Sequence, residues 1–168
     1  MIAVEFHYTI IDTWLGHIGM ISSPVGLRKV VIATSKGEVI RLIIDGYPSA
    51  VESLAAFGDL PERLRLYLNG ERVTFGDTID WSGVSSFSHA VLETVRNIPH
   101  GEVRSYGWVA RQIGKPKAAR AVGQALAANP MTLVVPCHRV IGSNGSLVGF
   151  TGGLKMKKRL LELEGVLL

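Results

Sequence analysis

Short runs of alternating apolar and polar residues fill the first third of the chain: Val4-Glu5-Phe6-His7-Tyr8, then residues 15–21, then residues 27–32. Period-two alternation turns one face of each run toward a core, and Gly16, Pro24 and Gly26 between them favour turns, so a small set of strands is predicted. Ser35 with Glu38 three positions on is a capping box that opens a helix through Ile44, and Asp59-Leu60-Pro61-Glu62 opens another through about Leu68. Asn69-Gly70 closes this small sheet with its helices, and the polar stretch 76–85 reads as a linker.

From Phe87 the period changes. Phe87, Val91, Leu92, Val95 and Ile98 share one helical face until Pro99 and Gly101 end the segment. Ser105 caps a short helix from Tyr106 to about Ile113, Gly114 and Pro116 form a tight turn, and a second helix runs over about residues 117–128. Such a pair predicts a helix-turn-helix, a pattern that many all-helical cores share. Beyond Asn129-Pro130, Leu133-Val134-Val135 reads as a buried strand, Ser143-Asn144-Gly145-Ser146 as the turn of a hairpin forming a wing, and residues 154–164 as a last helix ended by Gly165. The expected architecture is α+β in two domains, residues 1–80 and 81–168.

With 168 residues and 47% hydrophobic content, the chain has apolar material for one sizeable core or two small ones. No apolar run approaches the roughly 18 to 20 residues that span a bilayer, and Glu5 replaces the basic start of a signal peptide. A soluble, cytoplasmic protein with no membrane contact is expected. The net charge of +4 hides two opposed halves: residues 1–80 hold 7 Lys/Arg against 10 Asp/Glu, and residues 81–168 hold 11 against 4. A basic half attracts polyanions, nucleic acid first among them, although a solvated basic face would look the same.

The second helix of the pair carries Ala118, Ala119, Ala121, Gly123, Ala125, Ala127 and Ala128, with Arg120 and Gln124 as its long side chains. Sequence-specific readers set several Arg, Asn or Gln side chains on base edges. A helix of small residues instead packs closely on a neighbour or approaches a groove without reading bases. Downstream, the sole cysteine stands in Pro136-Cys137-His138-Arg139-Val140. A lone cysteine is commonly a small buried apolar group, yet a thiol beside a histidine has what a nucleophile needs to become a thiolate.

Together with Gly101-Glu102-Val103-Arg104-Ser105-Tyr106, Lys117-Ala118-Ala119-Arg120-Ala121-Val122-Gly123, Asn129-Pro130 and Gly149-Phe150-Thr151-Gly152-Gly153, and the closing Leu163-Glu164-Gly165, this run resembles the O6-alkylguanine-DNA alkyltransferases. The blocks cover about residues 86–165 in the family order. The first 80 residues resemble the family in outline only, through Leu66-Tyr67-Leu68-Asn69-Gly70 and Phe75. The resemblance implies a ribonuclease H-like N-terminal domain, a winged helix-turn-helix C-terminal domain, and irreversible transfer of an alkyl group from guanine O6 in double-stranded DNA to Cys137. It also implies roles: His138 as base through a water, Glu164 orienting it, and Tyr106 protonating the departing guanine. The flipped base would be held by main-chain groups at Cys137, Val140, Thr151 and Gly152, with Phe150 as an apolar wall. Arg120 would fill the gap in the stack, Asn129 would tie the turn before the cysteine, and Ser105, Lys115 and Ser143 would meet DNA.

A thioether has no good leaving group, so each molecule is expected to act once; a monomer and no cofactor are expected as well. Some relatives bind zinc in the N-terminal domain through cysteines and histidines; here His7 and His17 stand without cysteine and cannot close a tetrahedral site, so no metal is expected. Other relatives carry tyrosine where this chain has Phe150, which drops a hydroxyl from the wall. A winged-helix regulator without chemistry, a relative that binds alkylated bases without transfer, and a cysteine hydrolase are the competing classes. The first gives no use for Cys137-His138, the second lacks the cysteine, and the third usually keeps its histidine far away in sequence.

Overall fold

Three strands, β1 (His7–Thr13), β2 (Gly16–Ser22) and β3 (Leu27–Ala33), form an antiparallel meander in the computed structural model, which describes residues 4–150 and 152–167. The first strand starts later than the alternation of residues 4–8 suggests. Its register is set by the turn to β2, where Thr13 pairs with Gly16 and the Thr13 hydroxyl donates to the Gly16 carbonyl at 2.8 Å. Gly16 has φ +130°, and a Cβ there would lie 2.7 Å from the Ala33 carbonyl oxygen, so the turn requires glycine.

Helix α1 (Lys36–Gly46) begins as its capping box predicts, with Ser35 Oγ accepting from the Glu38 amide at 3.2 Å. Its buried face, Val39 and Ile43, packs on Ile21 and Val31 of the sheet. Strand β4 (Val51–Glu52) joins β1 in parallel, giving the order β3-β2-β1-β4. A 3₁₀ turn (Leu54–Phe57) leads to α2 (Leu60–Leu68). Asp59 precedes that helix without a side-chain cap bond, and instead takes Arg63 Nε at 3.0 Å, while the Arg63 guanidinium also grips Asp77 at 2.9 and 2.7 Å.

The stretch 76–85 is not a free linker. The Leu27 amide donates to the Thr78 carbonyl and the Asp80 amide to the Leu27 carbonyl, both at 2.8 Å, so the segment runs along β3. Asp80 is buried, yet its carboxylate accepts from the Ser23 hydroxyl at 2.6 Å and from the Ser82 amide and hydroxyl at 3.0 and 2.5 Å. Polar residues that satisfy one another read as a linker by composition alone.

The chain divides into two compact units: residues up to Ser82 with Pro130–Thr132, and Gly83–Asn129 with Leu133 onward. The second is mainly helical. It comprises α3 (Ser86–Arg96), β5 (Arg104–Ser105), α4 (Tyr106–Gln112), α5 (Ala119–Ala127), a 3₁₀ turn (Cys137–Arg139), β6 (Val140–Ile141) and α6 (Leu154–Leu163). Serine caps start two of these helices, with Ser85 Oγ taking the Ser88 amide at 3.1 Å and Ser105 Oγ the Trp108 amide at 3.0 Å. Two expectations are corrected. Leu133-Val134-Val135 is buried as predicted but turns rather than extends, with Leu133 at φ 75°. The segment around Ser143 does turn, with the Gly142 amide on the Ser146 carbonyl at 2.8 Å, but no hairpin ladder forms among the described residues; β6, which leads into it, pairs in parallel with β5. No described helix is long and apolar enough to cross a membrane.

Candidate active site

Pro136 ends the buried turn and starts the 3₁₀ turn that carries Cys137, whose amide bonds back to the Val135 carbonyl at 2.8 Å. The sulfur is buried, with the residue 7% exposed. Burial pushes its thiol up from the ordinary value, against a hydrogen bond from Asn129 and the charge of Lys157, which pull it down. At neutral pH the resting group is therefore a thiol, and attack needs a proton acceptor nearby.

The adjacent His138 is the candidate acceptor. It is fully buried, and its Nε2 lies 2.6 Å from Glu164 Oε2. Burial lowers the imidazole's pKa, partly offset by Glu164, so the ring is neutral at pH 7 and able to take up a proton. Glu164, the C-cap of α6, answers several donors. Arg139 Nε reaches its Oε1 at 2.9 Å, Arg139 Nη2 its Oε2 at 3.0 Å, and the Gly101 amide its Oε1 at 3.0 Å. Burial alone would raise this carboxyl, but the His138 and Arg139 hydrogen bonds outweigh it and hold it well below the usual carboxylate range.

Arg139 and Lys157 are site residues that the sequence motifs did not assign. Arg139 is 8% exposed and also donates Nη1 to the Ile98 carbonyl at 2.7 Å. Its signal was its position: an arginine between two buried residues needs a buried acceptor. Lys157 is 0% exposed, and its signal was register, since it shares the i, i+3, i+4, i+7 face of α6 with Leu160, Leu161 and Glu164. Its ammonium donates to the Val148 and Gly149 carbonyls at 2.9 and 3.1 Å and lies 5.8 Å from the centre of the Tyr106 ring.

A cavity of about 40 Å³ opens onto Cys137, walled by Tyr106, Phe150, Gly149 and the Gly123, Leu126 and Ala127 side of α5. Tyr106, at the start of α4, donates its hydroxyl to the Val148 carbonyl at 2.6 Å. Burial, then the charge of Cys137, raises its pKa, so it stays a donor. Phe150 stands edge-on to the His138 ring, centroids 6.5 Å apart. Asn129 Nδ2 reaches the Val135 carbonyl at 3.1 Å and so ties the end of α5 to the turn before Cys137. Val140 is buried on β6.

Thus Cys137, Tyr106 and Phe150 share one cavity, with His138, Glu164, Asn129 and Val140 packed around the cysteine turn. Arg120 on α5, Lys115, Ser143 and Gly152 are exposed; Ser105 serves as the cap of α4; Thr151 lies outside the described residues. Among the described residues no group of three or more His, Cys, Asp or Glu is placed to hold a metal.

Comparison with known proteins agrees with this chemistry. Residues 86–166 match the family model described as "6-O-methylguanine DNA methyltransferase, DNA binding domain". The chain is 43% identical over 148 residues to a methylated-DNA–protein-cysteine methyltransferase of Mycolicibacterium paratuberculosis, covering 86% of this chain and 89% of that one. A protein of the same name from Methanosarcina acetivorans is 38% identical over 159 residues, 95% of this chain and 98% of its own. Among solved structures, Mycobacterium tuberculosis OGT in complex with DNA superposes with a TM-score of 0.80 at 37% identity, covering 94% of this chain and 92% of that one. The O6-methylguanine-DNA methyltransferase of Pyrococcus kodakaraensis gives 0.68 at 28% identity, over 96% and 99% of the two chains. With the likeness running through both compact units, the chain belongs to the methylated-DNA–protein-cysteine methyltransferase family.

Proposed function

We propose that this protein repairs O6-alkylguanine in double-stranded DNA by moving the alkyl group irreversibly onto Cys137. The observation that carries the reading is the buried series Glu164, His138, Cys137 behind a cavity that Tyr106 also walls. With Nε2 committed to Glu164, His138 Nδ1 takes the thiol proton through a water, and Glu164 steadies the imidazolium that results. The thiolate attacks the alkyl carbon: an S–C bond forms, the C–O6 bond breaks, and its electron pair leaves with guanine. Tyr106 donates a proton to the guanine ring and is reprotonated by the proton first released from the thiol, so atoms and charge balance.

O6 lies within the duplex, so the nucleotide must leave the stack at a cost of a few kcal/mol. Arg120, exposed on a helix of small residues, is suited to fill the gap from the DNA side. We read α4 and α5 as a helix-turn-helix with the Ser143 turn as a reduced wing, and the N-terminal sheet as a ribonuclease H-like support. Main-chain groups at Cys137 and Val140, and at Thr151-Gly152, would hold the base. A monomer acting in the cytoplasm suffices, since one chain carries all these groups.

The resting cavity beside Cys137 is small, about 40 Å³. Donation to the base requires the Tyr106 hydroxyl to leave the Val148 carbonyl that it now bonds. The test is to titrate a duplex containing one O6-methylguanine with protein and count restored guanines. One guanine per chain, and none with Cys137→Ala, is expected; more than one per chain would overturn the single-use reaction.

A further inference from the structure

Each of the 4 acids in residues 81–168 has a cation at hand: Glu93 has Arg96 at 3.7 Å, Glu102 has Arg104 at 2.8 Å, Glu162 has Lys158 at 3.9 Å and Glu164 has Arg139 at 2.9 Å. Those four cations are balanced within their own half of the chain. Arg111, in the last turn of α4, is not: it is exposed, and among the described residues it forms no ion pair. Its guanidinium has a defined place all the same. A Cβ on Gly107, one turn earlier, would lie 3.4 Å from Arg111 Nη1 and 3.9 Å from Ser105 Oγ, so the arginine folds back along the helix over the glycine. Glycine weakens a helix, but here its missing side chain leaves a notch between a guanidinium and a hydroxyl. Ser105 and Gly107 flank Tyr106, which walls the Cys137 cavity. We propose that Arg111 is a further DNA-contact residue, taking one phosphodiester of the damaged strand in the notch over Gly107 and so fixing the target nucleotide beside Tyr106. This inference rests on the DNA-repair reading of the cavity.

The side chains around the notch suit a phosphate. A guanidinium presents parallel N–H groups that match two non-bridging phosphate oxygens, and its charge persists at any pH the protein meets. Ser105 Oγ accepts from the Trp108 amide at 3.0 Å and keeps its own proton to donate, which adds a donor on the other side. Lying along α4 before DNA arrives, Arg111 has less side-chain freedom to lose on binding. Such a contact places the backbone without reading a base, as repair of a lesion in any sequence requires. The division of labour with Arg120 follows from position: Arg120 on α5 is suited to the gap in the stack, and Arg111 on α4 to the strand beside the cavity.

The test uses the full chain as wild type, Arg111→Gln and Arg111→Lys, and follows binding to an unmodified duplex by fluorescence anisotropy as KCl is raised. The slope of log affinity against log salt should shrink by about 0.9 in Arg111→Gln, the share of one phosphate contact, and return in Arg111→Lys. An unchanged slope in Arg111→Gln overturns the proposal. Position is read with duplexes that carry O6-methylguanine and one neutral methylphosphonate, either next to the damaged nucleotide or about one helical turn away. These are bound by proteins that also carry Cys137→Ala, so that the lesion stays intact. A substitution next to the lesion should weaken the protein with Arg111 roughly fivefold, and the one with Arg111→Gln by less than about twofold. Equal losses in the two proteins would overturn the contact. If the slopes and the methylphosphonate results hold while wild type takes no methyl from the duplex, the repair reading fails and the phosphate contact stands.

Discussion

At Glu164 one buried carboxylate serves two side chains and a backbone amide, so its charge satisfies three donors at once. Removing that charge leaves Arg139 buried without its partner, a kind of change that typically costs about 3–5 kcal/mol. Glu164→Gln should lose stability of that order in urea unfolding at pH 7. Because the folded carboxyl titrates well below its unfolded value, its contribution is complete above about pH 4.5 and fades as pH falls toward the folded value. Wild type and Glu164→Gln should therefore converge in stability on acidification; a constant gap down to pH 3 would contradict the assignment. The grouping of Cys137, His138 and Glu164 was implied by the family resemblance of their motifs, and the fold brings Glu164 onto His138. Arg139 and Lys157 were not legible in sequence, since their partners are Glu164, 25 residues from Arg139, and two carbonyls on a loop without regular structure. Charge in a sequence suggests surface until a fold supplies acceptors.

Helices were the readable elements because their signals are local. Ser35, Ser85 and Ser105 each cap the helix that follows, and Ser105 places Tyr106 at the first position of α4, beside the cavity. Strand pairing was less readable because the partner lies elsewhere in the chain. The alternation over residues 4–8 missed the start of β1, the stretch 76–80 joined β3 through Leu27, and Leu133 turned where its apolar neighbours suggested extension. Helix α5 tests function at this scale. Its inner face, Val122, Ala125 and Leu126, is buried, leaving Arg120 as an exposed long side chain among small ones. Arg120→Ala should slow repair of O6-methylguanine in duplex DNA at least tenfold and leave attack on the free alkylated base within about twofold. Equal slowing of both, in parallel rate measurements, would remove Arg120 from base extrusion.

Across the whole molecule, positive charge and chemistry belong to the same stretch of chain. Of the 11 Lys/Arg in residues 81–168, Arg139 and Lys157 are buried, as is Glu164 among the 4 acids, so nine remain against three acids outside that buried group. That excess suits a phosphate backbone, whose contacts position a protein without naming a base. The site itself holds one thiol and no second cysteine to relieve it. Alkylation of Cys137 is therefore a single covalent event. The direct measurement is the intact mass of the protein, followed by peptide mapping, after incubation with excess duplex containing O6-methylguanine. Replacement of one hydrogen by one methyl group, located on Cys137, saturating at one per chain and missing in Cys137→Ala, is the predicted result. An unchanged mass while the duplex is bound, or methyl found on any other residue, would contradict it.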